Sequence, residues 1–249
     1  MVNVLDIKMF DKNLNHAIEI INEELKKDRL NRLISATGAH GIVHSNKDSE
    51  FKSILNQFFL NLPDGMPVVW VGKLKGHKRM ERCCGTDFFD EMIKSTVNSG
   101  INHYFCGGKT GIPEKLKEVW IAKYGNVNIV GTYSPPFYEM SEEEILELAG
   151  DINLKRTDIL WIGISTPKQE KFAYRLSRYT DVHFICTVGA AFDFHVGHVK
   201  QAPRWIQNIG MEWMFRLILE PKRLWKRYAR IVPMFIIYNI LEFLKGNFK

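Results

Sequence analysis

The sequence has no apolar run long enough to cross a bilayer. Its most apolar window, Ile231–Leu244 (IVPMFIIYNILEFL), spans 14 residues and is interrupted by Pro233, Asn239 and Glu242. A spanning helix needs roughly 20, so a buried or interfacial helix is expected. The first residues, MVNVLDIKMFDKN, lack the apolar core of a signal peptide, which points to a cytoplasmic chain. Cysteine is scarce: Cys83, Cys84, Cys106 and Cys186 form no C-x-x-C pair. This argues against a disulfide framework or a cysteine zinc site and favours reduced thiols. The histidines show no H-E-x-x-H spacing, and no D-x-D or Walker A motif is present. No strand-like run leads into G-x-G-x-x-G with an acidic residue about 20 positions on, which disfavours a Rossmann dehydrogenase.

A net positive charge is missing over most of the chain. Residues 1–197 hold 24 Lys+Arg against 25 Asp+Glu, whereas residues 198–249 hold 10 against 3. The whole excess lies in the last fifth, which marks a functional C-terminal face. There Arg216, Arg223, Lys226, Arg227 and Arg230 alternate with Trp213, Trp225 and Tyr228. Such a segment suits an anionic partner: a substrate phosphate, a phospholipid surface or nucleic acid.

Short apolar runs alternate with helical patterns along the first 197 residues. Strands are expected at Arg32–Ala36, Val68–Val71, Asn102–Cys106, Val127–Thr132, Ile159–Ile164 and Val182–Val188, with Gly189–Phe194 leaving the sheet as a continuing strand. Helices are expected at Asn15–Lys27, Phe51–Leu60, Asp87–Ser99, from Pro113, from a Ser141/Glu144 capping box, and over Pro167–Arg178. Strands apolar throughout and separated by helices predict an α/β fold: a Rossmann-like, mostly parallel sheet covered on both faces. Residues 1–197 form the expected core, and residues 198–249 a basic, aromatic helical appendage with a helix starting at Pro221.

Ligands gather where parallel strands end and helices begin, and four loops there carry polar residues. Leu62–Pro67 (LPDGMP) is either a Pro-Asp-Gly turn or a seat for Asp64 as a general base. Tyr104–Gly111 places Gly107 and Gly108 where a phosphate could approach the backbone, or where a βα turn is merely tight. Ile164–Glu170 sets Lys168 and Gln169 beside a helix start, facing a ligand or solvent. Arg79 and Arg82, three apart, could share a helical face toward a diphosphate or form a solvated cluster. On the helix from Pro221 the basic residues could dock solvated, or meet an anionic membrane with aromatics at the interface.

Taken in order, these loops resemble the WecG/TagA/CpsF bacterial glycosyltransferases, glycosyltransferase family 26. The resemblance rests on Thr37–Gly41 (TGAHG), Pro63–Trp70 (PDGMPVVW), Glu81-Arg82 with Gly85-Thr86-Asp87, Phe105–Lys109 (FCGGK), Pro167–Glu170 (PKQE) and most of Val188–Tyr228. It implies inverting, metal-independent transfer of a sugar from a UDP-sugar to a polyprenyl-diphosphate-linked saccharide. The setting would be cell-surface polysaccharide synthesis, peripheral on the inner face of the bacterial membrane. No cofactor is implied, no nucleic acid partner is expected, and homo-oligomerisation stays open. The resemblance makes Asp64 the catalytic base. Substrate-binding positions are Thr37, His40, Arg82, Gly107, Gly108, Lys168, Gln169, Arg216, Arg223 and Lys226, the last standing where the family often has arginine. The TGAHG loop differs from the Asn-containing version of the N-acetylmannosamine branch, so glucose or another hexose is an alternative donor. A non-enzymatic module binding anionic membranes or nucleic acid is the rival of a different class.

Overall fold

The computed structural model describes residues 1–246; the last three positions of the expected appendage, 247–249, lie outside them. A hairpin of β1 (Val2–Val4) and β2 (Ile7–Met9) opens the chain and turns at Leu5 and Asp6, both at positive φ. Then follow α1 (Leu14–Glu24), β3 (Arg32–Thr37), α2 (Ala39–Ser45), α3 (Ser49–Asn56), β4 (Leu60–Pro63), α4 (Met66–Leu74) and α5 (Gly85–Ser95). Next come β5 (Asn102–Gly107), α6 (Ile112–Tyr124), β6 (Asn128–Tyr133), α7 (Glu142–Leu154), β7 (Ile159–Gly163), α8 (Lys168–Leu176) and β8 (Phe184–Thr187). The chain continues through α9 (Ala191–His195), α10 (Arg204–Asn208), α11 (Glu212–Leu219) and α12 (Pro221–Leu244).

The main sheet has six strands in the order β4-β3-β8-β7-β5-β6, and every pairing is parallel. Successive strand residues point to opposite faces, and the burial follows. Ile34, Phe105, Trp161 and Cys186 join one core with α1, α5, α6 and α9. Their chain neighbours Leu33, Tyr104, Leu160 and Ile185 join the other, with α3, α7 and α8. Apolar side chains on both faces are why these runs read as continuous hydrophobic strands. On the first face Phe89 meets the rings of Phe105, Trp120, Trp161 and Phe192 at centroid distances of 4.4–5.5 Å. Burying each such ring is worth about 1.5–3 kcal/mol.

Three expectations need correction. Val68–Val71 is helix, not strand: Pro67 stands in the first turn of α4, Gly65 precedes it at φ 142°, and the valines are buried against the hairpin. The edge strand is Leu60–Pro63, where the helical pattern of Phe51–Leu60 masked it. Gly189–Phe194 does not continue β8; Gly189, at φ 59°, turns the chain into α9.

The segment after residue 197 packs back on the core. Phe235 of α12 enters the hairpin cluster with Val68 and Phe51. Lys75 Nζ pairs with Glu242 Oε1 at 2.8 Å across a nearly solvent-free contact. The Ser141/Glu144 capping box forms as expected, and α12 begins at Pro221. Among the described residues no helix is long and apolar enough to cross a membrane.

Gly107 explains itself here rather than at a ligand. It sits at φ 157°, and a Cβ on it would lie 2.6 Å from the backbone of Gly163 on the adjoining β7. Gly107→Ala is therefore expected to destabilise the fold by about 1–3 kcal/mol, read as a lowered Tm in calorimetry.

Candidate active site at the carboxyl ends of the sheet

The loops leaving all six main-sheet strands line one cleft of about 1200 Å³, and residues of α10, α11 and α12 close its remaining side. Asp64 follows β4 at the edge of the sheet. Its backbone N–H donates to the Thr37 carbonyl at 3.1 Å. Glycines let the backbone close around it: a Cβ on Gly38 would stand 2.7 Å from the Asp64 carbonyl oxygen. The Asp64 side chain is open to the cleft, yet protein atoms crowd it from every wall. Burial raises its pKa from the ordinary 3.8 to about 6, against Arg82, Arg216 and the Gly85 N–H, with Glu212 adding to the rise.

The helices that start at the cleft share one feature. Among the described residues, α1, α3 and α7 start away from the cleft, and Asn13, Asp48 and Ser141 cap their first N–H groups. Those that start at the cleft, α2, α4, α5, α8 and α9, have no side-chain cap, and neither do α6, α10, α11 and α12. Uncapped amide groups at a helix start attract anions, most in the longer helices α4, α5 and α8. At α5 the Gly85 N–H is already turned on Asp64.

Guanidinium groups face the cleft from the C-terminal side. Arg216 lies 5.3 Å over the Phe194 ring, and its buried Nε has no hydrogen-bond partner. Arg223 pairs with Glu220 at 2.8 Å. Arg227 lines the cleft too. Burial pushes its pKa below the ordinary value, and Arg223 and Arg216 push the same way. Of these three cations only Arg223 forms an ion pair among the described residues, with Glu220. The cleft-facing stripe of α12 runs 223, 227, 231, 235, 239 and 243, with 228, 232, 236 and 240 beside it. It passes from basic to apolar residues, and Trp70 and Leu74 of α4 extend the apolar wall.

The sequence-based positions divide accordingly. Asp64, His40, Arg82, Gly108, Lys168, Gln169, Arg216 and Arg223 line the cleft. His40 is held to a pKa of about 4 by burial and then by Arg227 and His44, so it is a neutral imidazole at neutral pH. Arg79 and Arg82 share no helical face, because the chain from Lys75 to Cys84 is not helical. Arg82 Nη1 donates to Gln207 at 2.8 Å and Nη2 pairs with Glu212 at 2.9 Å, tying the core to α10 and α11. The Gln169 amide is also engaged: Nε2 donates to Glu170 and Thr166, and Oε1 accepts from the Gly189 N–H at 3.0 Å.

Thr37, Gly107 and Lys226 do not line the cleft. Thr37 is buried beneath the floor, its hydroxyl donating to Ser35 at 2.8 Å. Gly107 is a strand-packing residue. Lys226 is exposed, its Nζ 5.9 Å from the Trp225 ring centroid. One residue along a helix turns the side chain by about 100°, so Arg227 takes the place expected for Lys226. The i,i+4 spacing of Arg223, Arg227 and Ile231 is the signal that identifies it. Glu212 had no such signal, because its role arises only when α11 folds over Arg82.

An all-parallel α/β sheet whose carboxyl-end loops surround a proton-retaining carboxylate, uncapped helix starts and clustered guanidiniums is suited to group transfer on anionic substrates. The chain matches the Glycosyl transferase WecG/TagA/CpsF family over residues 2–248, and it belongs to that family. It is 26% identical over 226 residues to the N-acetylglucosaminyldiphosphoundecaprenol N-acetyl-beta-D-mannosaminyltransferase of Bacillus subtilis (strain 168). That match covers 91% of this chain and 86% of the relative.

The raised pKa of Asp64 has a consequence for stability. Between the unfolded value and about 6 the folded state binds more protons than the unfolded chain. Stability from this group is therefore greatest in acid and falls as pH rises through that window. Asp64→Asn should raise Tm at pH 7.5 by about 2–4 °C. This corresponds to about 1 kcal/mol once the carboxylate's access to cleft water is discounted. The gain should vanish near pH 4; a Tm difference that ignores pH would contradict it.

Proposed function

We propose that this glycosyltransferase moves a hexose from a UDP-sugar to a polyprenyl-diphosphate-linked saccharide, with inversion, and that Asp64 is the general base. One observation carries the reading: Asp64 stands on the floor of a cleft with two chemically different ends. Along the strand order, the uncapped start of α8 with Lys168 lies toward the middle of the sheet. The guanidiniums and the apolar stripe of α12 lie toward the β4 edge, where α12 meets α2. A nucleotide-sugar diphosphate suits the first end. An amphiphile with a diphosphate and a hydrocarbon chain suits the second.

In this reading the Asp64 carboxylate takes the proton of the acceptor hydroxyl as its oxygen attacks the anomeric carbon. The glycosidic bond to the nucleotide diphosphate breaks in the same step, and the departing charge falls on Lys168 and the N–H groups of α8. A base with a pKa near 6 is mostly ionised at neutral pH yet holds a proton far better than an ordinary carboxylate. Arg216, Arg223 and Arg227 hold the acceptor diphosphate. No metal is assigned a role; among the described residues no group of three His, Cys, Asp or Glu gathers to bind one. The relative's name supports a sugar acceptor on diphosphoundecaprenol and an N-acetylmannosamine-type donor. Another hexose remains the alternative. Exposed Ile236, Ile240, Phe243 and Leu244 on α12 support peripheral attachment to the membrane's inner face.

The test is UDP release across a panel of UDP-sugars with a prenyl-diphosphate saccharide acceptor. Asp64→Asn should lose about 10²–10⁴ in kcat while remaining folded; near-normal turnover would remove Asp64 as base. No release with any donor, together with salt-sensitive nucleic-acid binding, would favour the non-enzymatic rival.

The two neighbouring cations separate cleanly. Arg227→Ala should raise the acceptor KM by about 10-fold or more, as loss of a charge-assisted phosphate contact does. Lys226→Ala should change it by less than about 3-fold, since a solvated charge contributes little. Equal effects would place the diphosphate elsewhere.

A further inference from the structure

Among the described residues, Glu170 is the one fully buried carboxyl beside the cleft that the reaction above does not use. It is 0% exposed. All the groups bonded to its Oε1 are neutral side-chain donors: Thr166 Oγ1 at 2.8 Å, Gln169 Nε2 at 2.9 Å and Ser35 Oγ at 3.3 Å. Its Oε2 is buried without a partner. A carboxyl group taken from water with no cation bonded to it is costly to keep. Its bonds connect β3 to the loop after β7; the two strands flank β8 but do not pair with each other.

Each bond leads to a different wall. Thr166 lies in the loop after β7 and faces the cleft. Gln169 passes the connection on by accepting the Gly189 N–H in the loop after β8. Ser35, on β3, accepts the Thr37 hydroxyl, and the Thr37 carbonyl accepts the Asp64 N–H. The methyls of Thr37 and Thr166 also converge on α2, lying 3.1 and 3.5 Å from where a Cβ on Gly41 would be.

We propose that Glu170 is a positioning residue, whose single acceptor oxygen fixes the spacing of the β3, β7 and β8 loops and so sets Asp64 against the donor end of the cleft. It touches no substrate and acts through Ser35–Thr37 on one side and Gln169–Gly189 on the other. The inference deepens the glycosyl-transfer reading and rests on it for its kinetic arm alone.

Three variants test it. E170Q keeps an acceptor oxygen of the same shape. E170L keeps the volume and removes the acceptor. T166V removes one donor and leaves Glu170 in place. E170L should retain or raise Tm, because an orphaned buried carboxyl is removed. Its kcat should nevertheless fall by about 10- to 100-fold, the effect of a small misplacement of reacting groups, with donor KM changed by less than about 3-fold. E170Q should return kcat to within about 3-fold of wild type. The second readout needs no substrate: ¹³C titration of the Asp64 carboxyl. Its midpoint should move from about 6 toward the ordinary carboxylate range in E170L and stay in E170Q.

Wild-type kcat and an unmoved Asp64 midpoint in E170L would overturn the proposal. So would an E170Q enzyme as impaired as E170L with a parallel loss of Tm, which marks a purely structural role. Should E170L fail to fold, T166V must show a smaller loss of kcat at unchanged Tm, and its absence counts against the proposal. If the Asp64 midpoint moves as expected but the wild-type protein turns over no UDP-sugar, the positioning role stands and the functional reading fails.

Discussion

A carboxylate held where its charge is disfavoured is the constraint on which the rest of this cleft depends. Asp64 cannot be moved back into solvent without losing its raised proton affinity, nor, on the proposed reading, driven deeper without losing the substrate's hydroxyl. The fold meets both demands with backbone rather than side chains. The Thr37 carbonyl fixes the Asp64 N–H, and Gly38 and Gly65 let the chain turn beneath and beyond it. Gly85 brings the start of α5 within a hydrogen bond of the carboxylate. Two cations and that N–H favour ionisation, and burial still wins. The crowding of the walls therefore matters more than any single charge.

Those walls include α11, so the chemistry of the core is bound to the placement of the C-terminal segment. Arg82 is the joint: it influences Asp64 electrostatically while Gln207 and Glu212 hold its guanidinium. Lys75 and Glu242 repeat the device at the far end of α12. Ion pairs of this kind add little net stability once desolvation is counted, but losing one partner is costly. Attachment of α12 therefore comes mainly from Phe235 and its apolar neighbours. The Lys75–Glu242 pair helps to fix the rotation of the helix. Rotation decides which basic residues meet the cleft, and a turn of one residue would exchange Arg227 for Lys226.

The α/β class, the parallel pairing and the loop that carries Asp64 were legible in the sequence, because strands buried on both faces and a Pro-Asp-Gly loop are local patterns. The valines of α4 misled because β-branched residues favour strands until a preceding Gly-Met-Pro start and a hairpin to pack against override them. Thr37 and Gly107, expected at the substrate, do not line the cleft. They stand next to the cleft and shape it from beneath. Gln169 shows the same limit: a polar residue at a helix start reads as a ligand contact, whereas its amide is taken up by Glu170, Thr166 and Gly189. Such second roles depend on which loops meet, and no spacing within one segment records that.

The cap pattern carries the argument one step further than any single residue. An isolated uncapped helix start is unremarkable, since water can satisfy its N–H groups. What counts here is convergence: α2, α4, α5, α8 and α9 all start on one cleft without a capping side chain, although α6, α10, α11 and α12 lack one as well. Caps would add stability of about 1 kcal/mol each, so leaving several out at one place is a cost borne by the fold where a ligand can repay it. Guanidiniums that outnumber their carboxylate partners on the facing helices have the same meaning. On the proposed reading the two deficits belong to two different diphosphates. Asp64 lies between them because the reaction joins a sugar leaving one to a hydroxyl carried by the other.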